Sequence, residues 1–125
     1  MVIPFLDLNK QYLSIKETID SEIQDVINES AFVRGRYVAK FEKEYAKLCG
    51  TNECITCGNG TDAIYITLKA LGIGHGDEVI TTALSWISSS ETITQAGAKV
   101  VFADVEPNYF TIDPEAIEGK ITENT

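Results

Sequence analysis

Between Cys57 and Ile64 the chain reads Cys-Gly-Asn-Gly-Thr-Asp-Ala-Ile, and this stretch constrains the fold more than any other. A short apolar run, Glu53-Cys54-Ile55-Thr56-Cys57, has the composition of a strand and leads into it. A helical run, Ala63 to Leu71, leaves it. A strand that breaks on glycines into a helix presents backbone N–H groups that have no partner inside the helix. Such a turn is a ready site for an anion, most often phosphate. An ordinary tight turn capped by an Asx or Thr side chain accounts for the same residues. Both readings stand at this point.

The rest of the chain supplies the context for an α/β unit. Residues 8–28 read as a helix with Ile15, Ile19, Ile23 and Val26/Ile27 along one stripe. Residues 28–36 break that pattern around Gly35. A second helix is predicted over 37–49, with Val38, Phe41, Tyr45 and Leu48 facing inward and Gly50 as its stop. After the helix over 63–71 come a turn at Gly72–Asp77, a strand over 78–82 and a loop over 83–86. A short helix over 87–96 ends at Gly97, and a strand over 98–105 is apolar enough to be buried on both faces. Asp113-Pro114 opens a last helix, with Asp as cap and Pro at its first position. Three strands alternating with helices predict an α/β fold with a mainly parallel sheet.

Composition excludes several classes of function. The net charge is −9 and the pI about 4.5, which is the wrong sign for nucleic acid or for an anionic membrane surface. The opening Met1-Val2-Ile3-Pro4-Phe5-Leu6-Asp7 has neither a basic n-region nor a long apolar stretch, so neither a signal peptide nor a transmembrane span is expected. Three cysteines, an odd number, suit reduced thiols and a cytoplasmic location. Cys54 and Cys57 on an extended strand would lie roughly 10 Å apart on opposite faces. A disulfide is then disfavoured, no second pair completes a zinc site, and buried structural thiols are expected.

No lysine follows the last glycine, so the loop is not a P-loop. Gly58-x-Gly60-x-x-Ala63 matches the loose dinucleotide fingerprint, but the acids at the right distance, Asp77 and Glu78, precede the next strand rather than end it. Trp86, the single tryptophan, lies just beyond a strand end, where α/β folds place ligand loops. It reads either as a stacking platform for a flat ring or as a core aromatic, with Ser85, Ser88, Ser89 and Ser90 around it as hydrogen-bond donors or helix caps. Arg34 and Arg36, the only arginines, flank Gly35 and suit either a bound phosphate or carboxylate or a solvated turn. His75 reads as exposed and structural, and the carboxylates as solvated helix faces. No metal site is expected.

Taken together, these residues resemble the DegT/DnrJ/EryC1/StrS family of sugar aminotransferases, which use pyridoxal 5'-phosphate (PLP) in the fold-type I architecture. The resemblance runs along the whole chain. It includes Ile3-Pro4-Phe5-Leu6-Asp7-Leu8, then Phe32-Val33-Arg34-Gly35 followed by Phe41-Glu42-Lys43-Glu44-Tyr45-Ala46. It continues through Asn59-Gly60-Thr61-Asp62-Ala63-Ile64, where the family has Ser-Gly-Thr-x-Ala-Leu, and Gly72-Ile73-Gly74-His75-Gly76-Asp77-Glu78-Val79-Ile80. Val101 to Val105 and Ile112-Asp113-Pro114 complete it. Each piece is modest alone; their order and spacing together are specific.

The resemblance implies that residues 1–125 are the N-terminal portion of a PLP-binding large domain, with helices over 1–50 and the start of the α/β sheet over 51–125. It makes Gly60, Thr61 and Asp62 a cradle for the cofactor phosphate, through the Thr61 hydroxyl and the Thr61–Asp62 backbone, with the Asp62 charge pointing away. It makes Trp86 the ring-stacking residue and offers Arg34 and Arg36 for the substrate, across a homodimer interface. The implied reaction moves an amino group, usually from glutamate, to a keto sugar carried on a nucleotide, for deoxyamino-sugar and cell-surface polysaccharide synthesis. Transamination also needs a Schiff-base lysine and an acid against the pyridine nitrogen. In the family both lie downstream of Asp104, and Lys99 and Lys120 are poor substitutes, so this chain alone is expected to be inactive. The family sheet also places later strands beside residues 53–57, so that run is expected to lack neighbours here. The alternative is a stand-alone small α/β domain that binds a phosphorylated ligand or nucleotide without catalysis.

Overall fold

The computed structural model describes residues 4–125; Ile3, the first residue of the family-like opening, lies outside them with Met1 and Val2. The chain divides into two compact units, 1–56 and 57–125.

The first unit is built from two helices, α1 (Leu8–Asn28) and α2 (Arg36–Cys49). The Asp7 side chain starts α1 by accepting from the Lys10 N–H at 2.9 Å. On the polar face, the Tyr12 hydroxyl donates to Asp20 at 2.9 Å and Lys16 pairs with the same carboxylate. Gly50 ends α2 in the left-handed region (φ 69°), where its N–H reaches the Ala46 and Lys47 carbonyls. The predicted apolar stripes are present in sequence but are not buried. Val38 is half-buried, whereas Phe41 and Tyr45 stack on each other at 5.3 Å on an open face and Leu48 is 80% exposed. The isoleucines of α1 are likewise exposed, and Ala46 alone is buried. A helix stripe is buried only by a packed neighbour, and α1 and α2 share no extended interface.

The second unit is α/β. It runs α3 (Gly60–Ala70), β1 (Glu78–Thr82), α4 (Ser88–Ala96), β2 (Lys99–Ala103) and α5 (Pro114–Glu118). The two strands pair in parallel, from Glu78 opposite Lys99 to Thr82 opposite Ala103, and α4 is the crossover between them. Leu68, Ile93, Ala96 and Ala98 form the core, with Tyr65, Ile73, Val79 and Val100 packed against it. The turn before β1 and the turn between α4 and β2 are set by backbone geometry: Gly76 and Gly97 have φ of 99° and 94°, which β-carbon-bearing residues rarely adopt. At the open end of the strands Lys99 Nζ pairs with Glu78 Oε1 at 2.6 Å, and the Thr122 hydroxyl donates to Glu78 Oε2 at 2.7 Å. Asp113 caps α5 through the Glu115 N–H at 2.9 Å, with Pro114 first in the helix as expected.

Three expectations are corrected. Residues 53–57 form no strand, because among the described residues no other segment pairs with them. The sheet therefore has two strands rather than three. The strand expected over 98–105 is limited to Lys99–Ala103 and is not buried throughout: Phe102, on the face whose Val100 packs against the core, is 50% exposed, because among the described residues β1 is the only strand beside it. Val105 instead forms an isolated antiparallel bridge with Ile112.

Ile93 is 2% exposed at the centre of this small core. Ile93→Ala is expected to destabilise the second unit by about 3 kcal/mol, read as a shift of the urea unfolding midpoint.

Candidate functional site

The glycine loop enters α3 through Asn59, whose extended backbone (φ −167°) precedes the first helical residue, Gly60. The Asn59 side chain accepts from the Asp62 N–H at 2.9 Å and donates to Asp62 Oδ2 at 3.0 Å. The Ala63 N–H reaches the Asn59 carbonyl at 3.1 Å. The N–H groups of Gly60 and Thr61 are left without a protein acceptor among the described residues. The Asp62 N–H, assigned to the anion from sequence, is thus occupied by Asn59, and the Gly60–Thr61 pair is the one available. The Asp62 carboxylate folds back over Gly58: a β-carbon there would stand 2.8 Å from Asp62 Oδ2, so this arrangement relies on the missing side chain.

A second helix start lies beside the first. The Thr61 Oγ1 and Ser88 Oγ atoms are 2.7 Å apart, joining the beginning of α3 to the beginning of α4. Ser88 is buried, and its carbonyl accepts from the Thr92 hydroxyl at 2.7 Å, itself fully buried. Trp86 lies two residues before Ser88, beyond the end of β1, and is 77% exposed. It is therefore not a core aromatic of this unit; its ring is available for stacking on a flat group. The structure thus brings Thr61 and the Trp86 segment to one end of the α3–α4 pair. Lys99 sits at the opposite end of the parallel strands, paired with Glu78. Lys69 is at the far end of α3, roughly 13 Å along the helix from its start, and donates to the Ala96 carbonyl.

Arg34 and Arg36 lie in the first unit and have different surroundings. Arg36 pairs with both Glu29 oxygens, with Nε to Oε2 at 2.7 Å, and its guanidinium lies 4.6 Å from the centre of the Tyr37 ring. Arg34 sits in the left-handed region (φ 48°) and borders a cavity of ≈ 230 Å³ with Val38, Glu42 and Thr56. Glu42 was not singled out from sequence. It accepts from the Thr56 N–H at 2.9 Å and the Thr56 hydroxyl at 2.8 Å, standing in for the strand partner that this run lacks. These bonds, with Arg34 nearby, hold its carboxyl below the usual glutamate range.

The thiols depart from expectation: Cys49 and Cys57 are exposed and Cys54 half-buried, because no sheet encloses the run that carries them. His75 is exposed in its turn. Among the described residues no group of three His, Cys, Asp or Glu side chains is gathered closely enough to hold a metal ion, and no helix is long and apolar enough to cross a membrane.

Fold and loop together place the molecule in a class, and its relatives give the class a name. The chain belongs to the DegT/DnrJ/EryC1/StrS aminotransferase family, which it matches over residues 13–125. It is 45% identical over 125 residues to the pleiotropic regulatory protein of Geobacillus stearothermophilus, covering 100% of this chain and 34% of that protein. It is 40% identical over 124 residues to the UDP-2-acetamido-2-deoxy-3-oxo-D-glucuronate aminotransferase of Pseudomonas aeruginosa, covering 99% and 34%. The S. venezuelae DesV structure superposes with a TM-score of 0.93 at 33% identity, over 98% of this chain and 33% of that one. Bacillus subtilis NtdA, solved with bound cofactor PMP, gives a TM-score of 0.90 at 34% identity, over 98% and 28%. The α/β architecture with parallel pairing is that of the fold-type I aminotransferases. The chain spans about a third of the length of the curated relatives it matches.

Two outcomes follow from this geometry. Asn59→Ala is expected to cost about 1 kcal/mol of α3 stability through loss of its cap, measured by urea unfolding, and Asn59→Asp is expected to be destabilising as well, because it keeps the acceptor for the Asp62 N–H but sets a second carboxylate against Asp62 Oδ2. Glu42 is expected to titrate below a free glutamate in a ¹³C-detected NMR titration. Because its folded pKa is depressed, its support of residues 51–56 is present above the unfolded pKa and lost as pH falls through the folded one.

Proposed function

We propose that this chain is the cofactor-phosphate and ring-stacking part of a PLP-dependent aminotransferase acting on a nucleotide-linked keto sugar. The observation that carries this reading is the pair of unpartnered N–H groups at Gly60 and Thr61 beside the Thr61 hydroxyl, set next to an exposed Trp86 by the Thr61–Ser88 hydrogen bond. This donor set suits a phosphate monoester: two backbone N–H groups without a protein acceptor among the described residues stand at the positive end of a helix dipole, beside the Thr61 hydroxyl that is shared with Ser88. The indole offers a flat apolar face for a pyridine ring held by that phosphate.

When bound, PLP supplies the electron sink for moving an amino group; the protein supplies position and electrostatics. Gly60 and Thr61 bind the phosphate, Asn59 keeps the first turn of α3 in place, and Gly58 allows the Asp62 carboxylate to fold back by the loop. Trp86 shields one face of the ring from water. Arg34, less engaged than Arg36, is the better of the two for an anionic group of the substrate. Neither Lys69 nor Lys99 stands at the glycine loop, and on this reading the anchoring lysine belongs to the remaining length of the relatives. The chain alone then binds the cofactor without transamination. The whole enzyme is a cytoplasmic homodimer using glutamate as donor. Names of relatives such as the dTDP-3-amino-3,6-dideoxy-alpha-D-galactopyranose transaminase of Aneurinibacillus thermoaerophilus support the substrate class.

The test is a titration followed by fluorescence of Trp86, the single tryptophan. PLP is expected to quench it to saturation, and pyridoxal, which lacks the phosphate, is not. Thr61→Val should weaken PLP by about tenfold, the value of a hydrogen bond to a charged group. Equal responses to PLP and pyridoxal in the native chain would rule out the phosphate cradle.

A further inference from the structure

We propose that Ser88 is a positioning residue for phosphate: its buried hydroxyl donates to Thr61 Oγ1 and so directs the Thr61 proton outward to the anion. This rests on the cradle proposed above, and assigns it a residue from a different helix.

Thr61 and Ser88 each carry one hydroxyl proton and two lone pairs, and their oxygens are 2.7 Å apart. One proton lies in that bond, and either residue can supply it. If Thr61 supplies it, nothing remains on Thr61 for a ligand. If Ser88 supplies it, the Thr61 proton is free. The two residues are not equivalent in their surroundings. Ser88 is 5% exposed, and among the described residues its side chain has Thr61 as its sole hydrogen-bond partner. Its backbone is fixed by the Thr92 hydroxyl, which donates to the Ser88 carbonyl at 2.7 Å from a residue with 0% exposure. Thr61 is half-buried and stands at the start of α3, with its own N–H and that of Gly60 unpartnered among the described residues. A phosphate dianion at that point only accepts. It therefore selects the arrangement in which Ser88 donates to Thr61 and Thr61 donates to phosphate, a directional chain in which each bond polarises the next. A group buried in α4 thus sets the donor direction of a residue on α3.

The experiment uses the full 125-residue chain and reads the PLP dissociation constant from Trp86 fluorescence for the native protein, Ser88→Ala, Thr61→Val and the double variant. Pyridoxal quenching and thermal melting are followed in parallel. Ser88→Ala leaves the Thr61 proton available but removes the group that orients and polarises it, so it is expected to weaken PLP by about two- to threefold, to leave the pyridoxal response unchanged, and to have no further effect once Thr61 is valine. Ser88→Cys, which keeps the side-chain shape at a somewhat larger volume with a poor donor, should fall between the native protein and Ser88→Ala, and serves if the alanine variant does not fold. Additive losses in the double variant, or equal changes toward PLP and pyridoxal, would show that Ser88 only packs. A native chain that prefers PLP while both Ser88 variants bind it normally overturns the role of Ser88 and leaves the cradle standing. A native chain with no preference overturns both.

Discussion

The packing of α3 on α4 organises everything the second unit does. Leu68 of α3 meets Ile93 and Ala96 of α4 at one end of the pair, and the Thr61–Ser88 hydrogen bond closes the other. Small residues permit this: Ala96 and Ala98 are buried at the crossover, where larger side chains would push the helices off the two-stranded sheet. Because α4 is also the connection between β1 and β2, the same packing that buries Ile93 fixes where the β1–α4 loop emerges. Trp86 owes its place to a hydrophobic contact several residues away. Burial of apolar area drives this assembly, and the polar contact at its end supplies direction rather than bulk stability.

The first unit illustrates the opposite case. Its helices have clear start and stop signals, from the Asp7 cap to the left-handed Gly50, and the backbone follows them. Their apolar stripes nonetheless face outward, because helix formation and stripe burial are separate events. The polar faces are better satisfied than the apolar ones: Asp20 gathers Tyr12 and Lys16, and Glu29 gathers Arg36 and Tyr37. These exposed pairs orient side chains while adding little stability. Residues 53–56 show how a segment of strand-like composition behaves without a ladder. Glu42 supplies a side-chain acceptor to Thr56 where a neighbouring strand would have supplied a carbonyl.

The strand-to-helix turn at the glycine loop and the tryptophan beyond the end of β1 were both legible as candidate positions, for reasons that are local. Glycines between an extended run and a helix, and a tryptophan just after a strand, are patterns of a few residues. What was not legible were the contacts across the sequence. Nothing near Thr61 announces that its hydroxyl meets Ser88, twenty-seven positions on. Among four serines around Trp86, only tertiary packing distinguishes the one that is buried. The Asn59 side chain on the Asp62 N–H is the Asx cap that the sequence also allowed; which N–H groups it leaves without a partner depends on the folded turn. The two arginines looked alike in sequence and differ in the fold because only Arg36 has Glu29 and Tyr37 within reach.

The sequence by itself determined the order of the helices and the two paired strands, the turns at Gly76 and Gly97, and the family to which the chain belongs. These depend on side-chain periodicity, capping chemistry and backbone freedom, all of which act over a few residues. The tertiary structure alone decided which apolar residues are buried, which thiols are exposed and which hydroxyl stands behind Thr61. Burial and hydrogen-bond partnership need a second segment in place, and a linear pattern specifies that a face is apolar without specifying what will cover it.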